Sequence, residues 1–503
     1  MRALGAGFKT YGWAPSTEEL ARRAGLDAVN ILRFDGNVPP LPLPSSRPAA
    51  IASELARVNE YPHGGYPRIH EAIAEYAGVE RENVVLGAGA DDLIMLVARA
   101  YAGAGDTVSV PPAPTYPLFR IAAQLAGADV DDDDPVLTFC CRPGNPTGAL
   151  DPIPDARPLA VDEAYFEYAD DPGAVGLIED DVIVIRTFSK LFALAGARVG
   201  YALAARDVAA ELNARQAPAP VSTLSVALAL AALASPPDVR PVIEERERLA
   251  AELRGLGFAP VPSRANFVYV PVDDPRSVSD TLLAAGCVVR VFEDGIRISV
   301  RDREDDDLLL GTLAGEPRDQ VRRARHVRAT AETTLRVRLS LDGASRVRVA
   351  TGAGLYDHLL EQLAFHAGFD LVLEGSGDLE TGDHHTAEDA AIALGEALDR
   401  ALGDRKGIAR YGDAVVVMDD ARASAAVDLG GRRHAQISID PDPGLATHVL
   451  TSLADNARLA LHVDSTGDDA HHVAEAAFKA TGRALRAAIR GESDVLPSTK
   501  GVM

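Results

Sequence analysis

The chain has 503 residues, 47% of them hydrophobic and 25% charged, as expected of a globular protein with two or three domains, each able to bury its own core. Seventy-four Asp and Glu against 50 Lys and Arg give a formal net charge of −24, which argues against nucleic acid and anionic membranes as partners. Three cysteines make no disulfide framework and suit a reducing cytoplasm, and no stretch reads as a signal peptide or a membrane span.

From Val84 to Ala204 short apolar runs alternate with helical segments: Val84–Leu86, Thr107–Val110, Val136–Phe139, Leu159–Val161 and Val182–Ile185. This is the rhythm of an α/β domain whose mostly parallel sheet is covered by helices on both faces, with ligands gathered at the carboxyl ends of the strands. The first strand runs into Gly87-Ala88-Gly89-Ala90-Asp91, a turn leading to a helix N-terminus that suits a phosphate. Arginine is the default cation here, and only five lysines occur. A surviving lysine draws notice because it can lose its proton and act as a nucleophile. Lys190 ends a strand in Arg186-Thr187-Phe188-Ser189-Lys190, and Arg198 follows eight residues on. A Schiff-base lysine whose neighbours Thr187, Ser189 and Arg198 bind an anion is what pyridoxal phosphate requires. Asp162 at the end of a buried strand can hold the pyridine nitrogen protonated, and Asn145 and Tyr165 can reach the ring hydroxyl. Only 13 residues separate Gly148 from Asp162, among them Pro152, Pro154 and Pro158, so one crossover is expected to be a loop. Residues 205–310 read as helices and short strands of a smaller α+β lobe, in which the Ala-rich run Val221–Ala234 is expected to be a core helix.

The segment around Gly315-Glu316-Pro317 reads as a linker, which divides the chain into 1–315, 316–324 and 325–503. Ten of the twelve histidines lie after residue 320. His384-His385-x-x-Glu388 and His471-His472-x-x-Glu475 each place ligand atoms three and four residues apart on one helix surface, and His358 and His462 stand upstream in apolar frames. The repetition predicts an α+β domain of two similar strand-helix halves, each supplying half of a bimetallic site. Imidazole and carboxylate without thiolate fit Mn, Fe or Zn, and the spacing does not choose among them.

The front region, about residues 10–310, resembles the fold-type I pyridoxal-phosphate aminotransferases, and most closely histidinol-phosphate aminotransferase. The matching stretches are Tyr61-Pro62-x-Gly64-Gly65, Asn145-Pro146-Thr147-Gly148, Val161-Asp162-Glu163-Ala164-Tyr165, Arg186-Thr187-Phe188-Ser189-Lys190, Ser263-x-Ala265-Asn266-Phe267 and Arg297-Ile298-Ser299. The resemblance implies that Lys190 is catalytic, that Tyr116 stacks on the pyridine ring, and that Ser189, Arg198 and the Ala88-Gly89-Ala90 loop hold the cofactor phosphate. It further implies that Tyr61 reaches a partner subunit's site and that Arg290 and Arg297 bind the anionic groups of the substrate. The family loop commonly reads Gly-Asn-Gly-Ser-Asp-Glu, so Ala88, Ala90 and Asp92 are departures. A related threonine-phosphate decarboxylase, or a front domain kept only as a scaffold, is the rival reading.

Segment 322–503 resembles imidazoleglycerol-phosphate dehydratase, through Thr330-Ala331-Glu332-Thr333, Tyr356-Asp357-His358-Leu359-Leu360, Gly382-Asp383-His384-His385-Thr386-Ala387-Glu388-Asp389, His471-His472-x-x-Glu475-x-x-Phe478-Lys479 and Pro497-Ser498-Thr499-Lys500-Gly501. That family implies two Mn ions, each coordinated from two subunits of a 24-subunit cage. The implied ligands are His358, His384, His385, Glu388, His462, His471, His472 and Glu475, with Glu332 for proton transfer and Arg410, Arg432, Lys479, Ser498 and Lys500 for the substrate phosphate. Two metals holding the ring as imidazolate make it an electron reservoir, so that hydroxide can leave without an adjacent carbonyl. The two resemblances connect. The dehydratase product, imidazole acetol phosphate, is the ketone that the aminotransferase, with glutamate, would convert to histidinol phosphate. A homo-oligomeric cage carrying aminotransferase dimers is the expected assembly.

Overall fold

The computed structural model describes residues 8, 12–38, 51, 53–62, 64–315, 322–343 and 345–491. Two compact units, Met1–Arg318 and Asp319–Met503, make up the chain. Most of the expected linker lies outside the described residues, and the strand Arg323–Ala329 already begins within its last two positions.

The first unit is built on a seven-stranded sheet, ordered Val84–Gly87, Gly200–Leu203, Val182–Thr187, Leu159–Asp162, Leu137–Cys141, Thr107–Ser109, Asp129–Val130. All neighbours are parallel except Gly200–Leu203, which runs against both of its own. Alternate residues feed two separate cores: Leu159, Val161, Val182 and Val184 enter one, Ala160, Ile183 and Ile185 the other. Burial on both faces explains why these strands read as unbroken apolar runs. No helix joins Leu137–Cys141 to its parallel neighbour Leu159–Asp162, so the shortened crossover is a loop. The smaller lobe holds the strands Phe267–Pro271, Arg290–Val291 and Gly295–Ser299. The run expected to be a core helix forms the helix Thr223–Leu233, but only Ala229 and Ala232 are fully buried. Its apolar side chains point all round the axis, and one chain supplies cover for only part of them.

The second unit is the same fold twice. Strands Arg323–Ala329, Thr333–Ser340, Val347–Ala350 and Asp370–Gly377 pair in the order first, second, fourth, third, and Tyr411–Met418, Ala421–Asp428, His434–Asp440 and Ala460–Thr466 repeat that order. In each half the third and fourth strands are parallel and the rest antiparallel. Each half carries two helices, Gly354–Ala367 and His384–Leu402 in the first, Ala446–Asn456 and Ala470–Ala488 in the second. Period-2 alternation is clean in these strands because one face meets the helices and the other is open, as in Ala421–Asp428 with alanines and valine inward. All four helices and both sheets share one core.

The halves exchange helices. Gly482, on the Ala470–Ala488 helix, lies so close to the Gly354–Ala367 helix that a Cβ would collide with the Leu363 carbonyl. Gly395, on the His384–Leu402 helix, would put a Cβ 2.7 Å from the Leu453 carbonyl and 3.0 Å from the Ala457 nitrogen. Both glycines stand eleven residues after the first histidine of their pair. Each therefore brings the first helix of the opposite half against a His-His-x-x-Glu helix.

Candidate active sites

In the first unit the strand ends converge on a cavity of about 330 Å³. Ala90, Tyr116, Asn145, Asp162, Tyr165, Thr187, Ser189, Lys190, Arg198, Arg290 and Arg297, all expected from the sequence, line it. Asp162 and Lys190 come from the ends of adjacent parallel strands. Those ends are pinned by a buried ion pair, in which Arg186 Nη2 lies 2.9 Å from Glu163 Oε2. Burial drives the two site groups toward each other's range: desolvation, with Asp91 nearby, pushes the Asp162 carboxyl up to about 7, and desolvation with the Arg297 charge pulls the Lys190 amine down to about 8. Arg297 donates to Asn145 Oδ1 at 2.6 Å and to the Asp35 carbonyl at 2.7 Å. That leaves the Asn145 amide nitrogen as a donor.

The phosphate end is shaped by the loop. Gly89 caps the helix Ala90–Tyr101 and backs onto Arg198, where a Cβ would stand 2.7 Å from Nη2. The Ala88 amide donates to Asp92 Oδ2 at 3.0 Å, so it braces the turn rather than facing the cavity. Asp91, whose role the sequence did not reveal, accepts from Tyr116 at 2.8 Å and from Arg198 at 3.0 Å. Ser189 and Thr187 hydroxyls lie 3.0 Å apart. Guanidinium, two hydroxyls and a helix N-terminus form a donor set that fits a phosphate monoester, and a buried acid beside a depressed lysine fits a pyridinium aldehyde. The residues present thus fit pyridoxal phosphate. Tyr61 stands apart, 81% exposed and away from this cavity.

In the second unit the helix exchange builds two ligand clusters. His358 meets His471 and Glu475, and His448 meets His384 and Glu388, with the ligand atoms of each trio within 4.8 Å of one another. In the first, His358 Nε2 lies 3.7 Å and His471 Nε2 3.5 Å from the Glu475 carboxylate. In the second, His384 Nε2 and His448 Nε2 are both 3.4 Å from Glu388 Oε2. Ligands held about 2.1 Å from a tetrahedral ion are about 3.4 Å apart, so the trios fit a divalent metal. His448 Nε2 is shielded from solvent and makes no hydrogen bond, which fits a metal-ligating nitrogen.

His462 needs correction. It points from the open face of the strand Ala460–Thr466, beside His434 with ring centroids 5.3 Å apart, and belongs to neither trio. His448 takes the place expected of it. The signal was in the repeat: His358 and His448 are 90 residues apart, as are Leu363 and Leu453, whereas His462 falls opposite Val372. Strand alternation turns His462 outward, since Leu461 and Val463 fill the core.

His385 and His472, the second member of each pair, point away from their own trios. His385 Nδ1 lies 3.0 Å from Asp378 and 3.7 Å from Glu332, and His472 Nδ1 lies 2.6 Å from Asp420. The His472 bond and two backbone amides hold the Asp420 carboxyl well below the usual range. A carboxylate on Nδ1 leaves Nε2 as the nitrogen that could ligate. Lys479 binds Glu475 at 2.8 Å; burial opposes ionisation of Glu475, but this bond wins and lowers its pKa. Arg410 forks onto Asp428 at 2.7 and 3.1 Å, and Arg432 is exposed. Ser498 and Lys500 lie outside the described residues.

Comparison with known proteins finds a family match for each unit. Residues 28–313 match the family model of aminotransferase class I and II, and residues 351–485 that of imidazoleglycerol-phosphate dehydratase. An imidazoleglycerol-phosphate dehydratase of Salinispora arenicola is 47% identical over 201 residues, 36% of this chain and 99% of the relative. A histidinol-phosphate aminotransferase from Sinorhizobium meliloti, solved with pyridoxal-5'-phosphate, is 26% identical with a TM-score of 0.53, covering 60% of this chain and 95% of its own. A structure from Erwinia carotovora atroseptica, at 24% identity and a TM-score of 0.52, covers 61% of this chain and 98% of its own and shares the fold. The chain belongs to the class I and II aminotransferases through its first unit and to the imidazoleglycerol-phosphate dehydratases through its second.

Proposed function

We propose that this chain carries out two consecutive steps of histidine synthesis: its second unit dehydrates imidazoleglycerol phosphate to imidazole acetol phosphate, and its first transfers an amino group from glutamate to that ketone, giving histidinol phosphate. One observation carries the reading: a single chain holds both the Asp162–Lys190 cavity and the two exchanged histidine-carboxylate trios.

In the dehydratase unit, two bound divalent ions, manganese on our reading, supply the positive charge that lets the imidazole ring take up electrons as hydroxide departs. His358, His471 and Glu475 hold one ion and His384, Glu388 and His448 the other, while His385 and His472, turned outward, complete the sites of neighbouring copies. Glu332, exposed and 3.7 Å from His385, is placed to move the carbon-bound proton. Arg410, Arg432, Lys479, Ser498 and Lys500 bind the substrate phosphate.

In the aminotransferase unit, bound pyridoxal phosphate supplies the electron sink. Asp162 keeps the proton on its ring nitrogen, Tyr165 and Asn145 bind its ring oxygen, and Arg198, Ser189, Thr187 and the turn at Gly89 and Ala90, braced by Ala88, hold its phosphate. Tyr116 stacks on the ring. Lys190, with an amine neutral at mildly alkaline pH, is the nucleophile and proton carrier. Arg290 and Arg297 bind the anionic end of the substrate, and Tyr61, exposed in one chain, reaches a partner's cavity.

Copies of the chain assemble in the cytoplasm as a cage through the dehydratase unit and as dimers through the aminotransferase unit. Two features support this. The open face of the first sheet carries Arg323, Arg325, Arg336, Arg338 and Arg348 against Asp370 and Glu374, and the open face of the second carries Asp413, Asp428, Asp440 and Asp464 against Arg422, so the faces differ in the sign of their net charge and those of successive copies would attract. The half-covered helix Thr223–Leu233 is an apolar surface that a second copy would bury.

The test is to give the whole protein imidazoleglycerol phosphate, glutamate, Mn and pyridoxal phosphate. Histidinol phosphate is expected. Accumulation of the ketone would overturn the reading of the first unit, and unconsumed substrate that of the second.

A further inference from the structure

Asn37 takes no part in any motif, yet it is 1% exposed and adopts a left-handed backbone with φ of 51°. Such a conformation in a residue other than glycine persists only where the surroundings enforce it. They do so from both lobes. Its amide donates to Ser299 Oγ at 2.8 Å, its carbonyl accepts from Asn266 Nδ2 at 3.0 Å, and its Oδ1 lies 2.9 Å from Ser299 Oγ. Ser299 and Asn266 belong to the smaller lobe. The remaining group, Nδ2, donates to the Tyr165 hydroxyl at 3.0 Å.

That last bond fixes a direction. Tyr165 is 4% exposed, its ring is held edge-on by Phe267 at 5.0 Å, and burial keeps its phenol protonated by raising its pKa. With Asn37 occupying a lone pair, the phenolic proton is left to point into the cavity that Tyr165 lines. We propose that Asn37 is a positioning residue: it makes Tyr165 a hydrogen-bond donor toward the ring oxygen of the cofactor, and it ties that donor to the position of the smaller lobe. This inference rests on the reading of the first unit as a pyridoxal-phosphate enzyme. A donor to an oxyanion drains the charge that would otherwise retain a proton nearby, so the pH midpoint of the bound cofactor's absorption band is held down.

The experiment is a spectroscopic pH titration of the full-length protein loaded with pyridoxal phosphate, in native form and as Asn37→Gly, Asn37→Asp and Tyr165→Phe. Asn37→Gly tolerates the left-handed backbone and removes the donor, while Asn37→Asp keeps the shape and accepts the phenolic proton. Both are expected to raise the midpoint, by about one pH unit for Asn37→Asp and less for Asn37→Gly. In a Tyr165→Phe background neither should shift it further. Unchanged midpoints in both variants, or shifts that persist without the phenol, would overturn the role of Asn37 alone. Absence of any cofactor band in the native protein would overturn the reading of the unit as well.

Discussion

Gly395→Ala tests the helix exchange on which the proposed metal sites depend. The added Cβ would stand 2.7 Å from the Leu453 carbonyl, whereas ordinary contact begins at 3.4 Å, so the Ala446–Asn456 helix has to retreat by about 0.7 Å. The Leu453 carbonyl and Ala457 nitrogen are backbone, and the third contact, Asn456 Cβ at 2.9 Å, is fixed by its own backbone, so no side chain can swing aside. Alanine favours the helix by about 1 kcal/mol over glycine, and overpacking costs about 1–3 kcal/mol, for a net loss of about 0–2 kcal/mol. The larger consequence is at His448, which rides on the displaced helix. Metal–ligand distances tolerate about 0.2 Å, well under the retreat, so the His384, Glu388 and His448 trio should lose its ion while the His358, His471 and Glu475 trio keeps its own. Metal analysis after dialysis against limiting Mn should fall from two ions per chain to one, and thermal unfolding should still be cooperative. Gly482→Ala should give the mirror result, and the double variant should bind none. Two ions retained at native affinity in Gly395→Ala would refute the argument that close helix approach sets the ligand geometry.

Three other outcomes are expected. His448→Gln should release one ion per chain and His462→Gln none, as metal analysis will show; equal loss from both would return His462 to the ligand set. Added pyridoxal phosphate should be captured by the cofactor-free protein faster as pH rises through about 8, where Lys190 becomes neutral, and stopped-flow absorbance giving a flat rate from pH 7 to 9 would count against its depressed basicity. Glu167 is half-buried, with one carboxyl oxygen shielded from solvent and unpaired, and desolvation raises it to about 8. The folded chain then holds a proton that the unfolded chain releases near pH 4.5, so stability falls as pH climbs from about 4.5 to about 8. Glu167→Gln should flatten that slope and raise the melting temperature at pH 9 more than at pH 5; equal shifts at both pH values would contradict it.

Much of both sites was legible in the residues alone because it depends on local spacing. A His-His-x-x-Glu run sets ligand atoms on one helix face whatever surrounds it, and Arg186 to Lys190 marks a strand end by the apolar run before it. Repetition of that unit foretold two halves with one topology. What sequence could not supply was which helix meets which. His448 and His462 are both polar residues in apolar frames, and only the close approach at Gly395 brings one to Glu388 while strand alternation turns the other away. Likewise Asn37 and Asp91 act through partners 128 and 107 residues distant, Tyr165 and Arg198, and no local pattern records such a pairing. Local geometry follows from the order of residues along the chain, whereas the pairing of distant groups is settled by how the helices and lobes bury their apolar faces against one another.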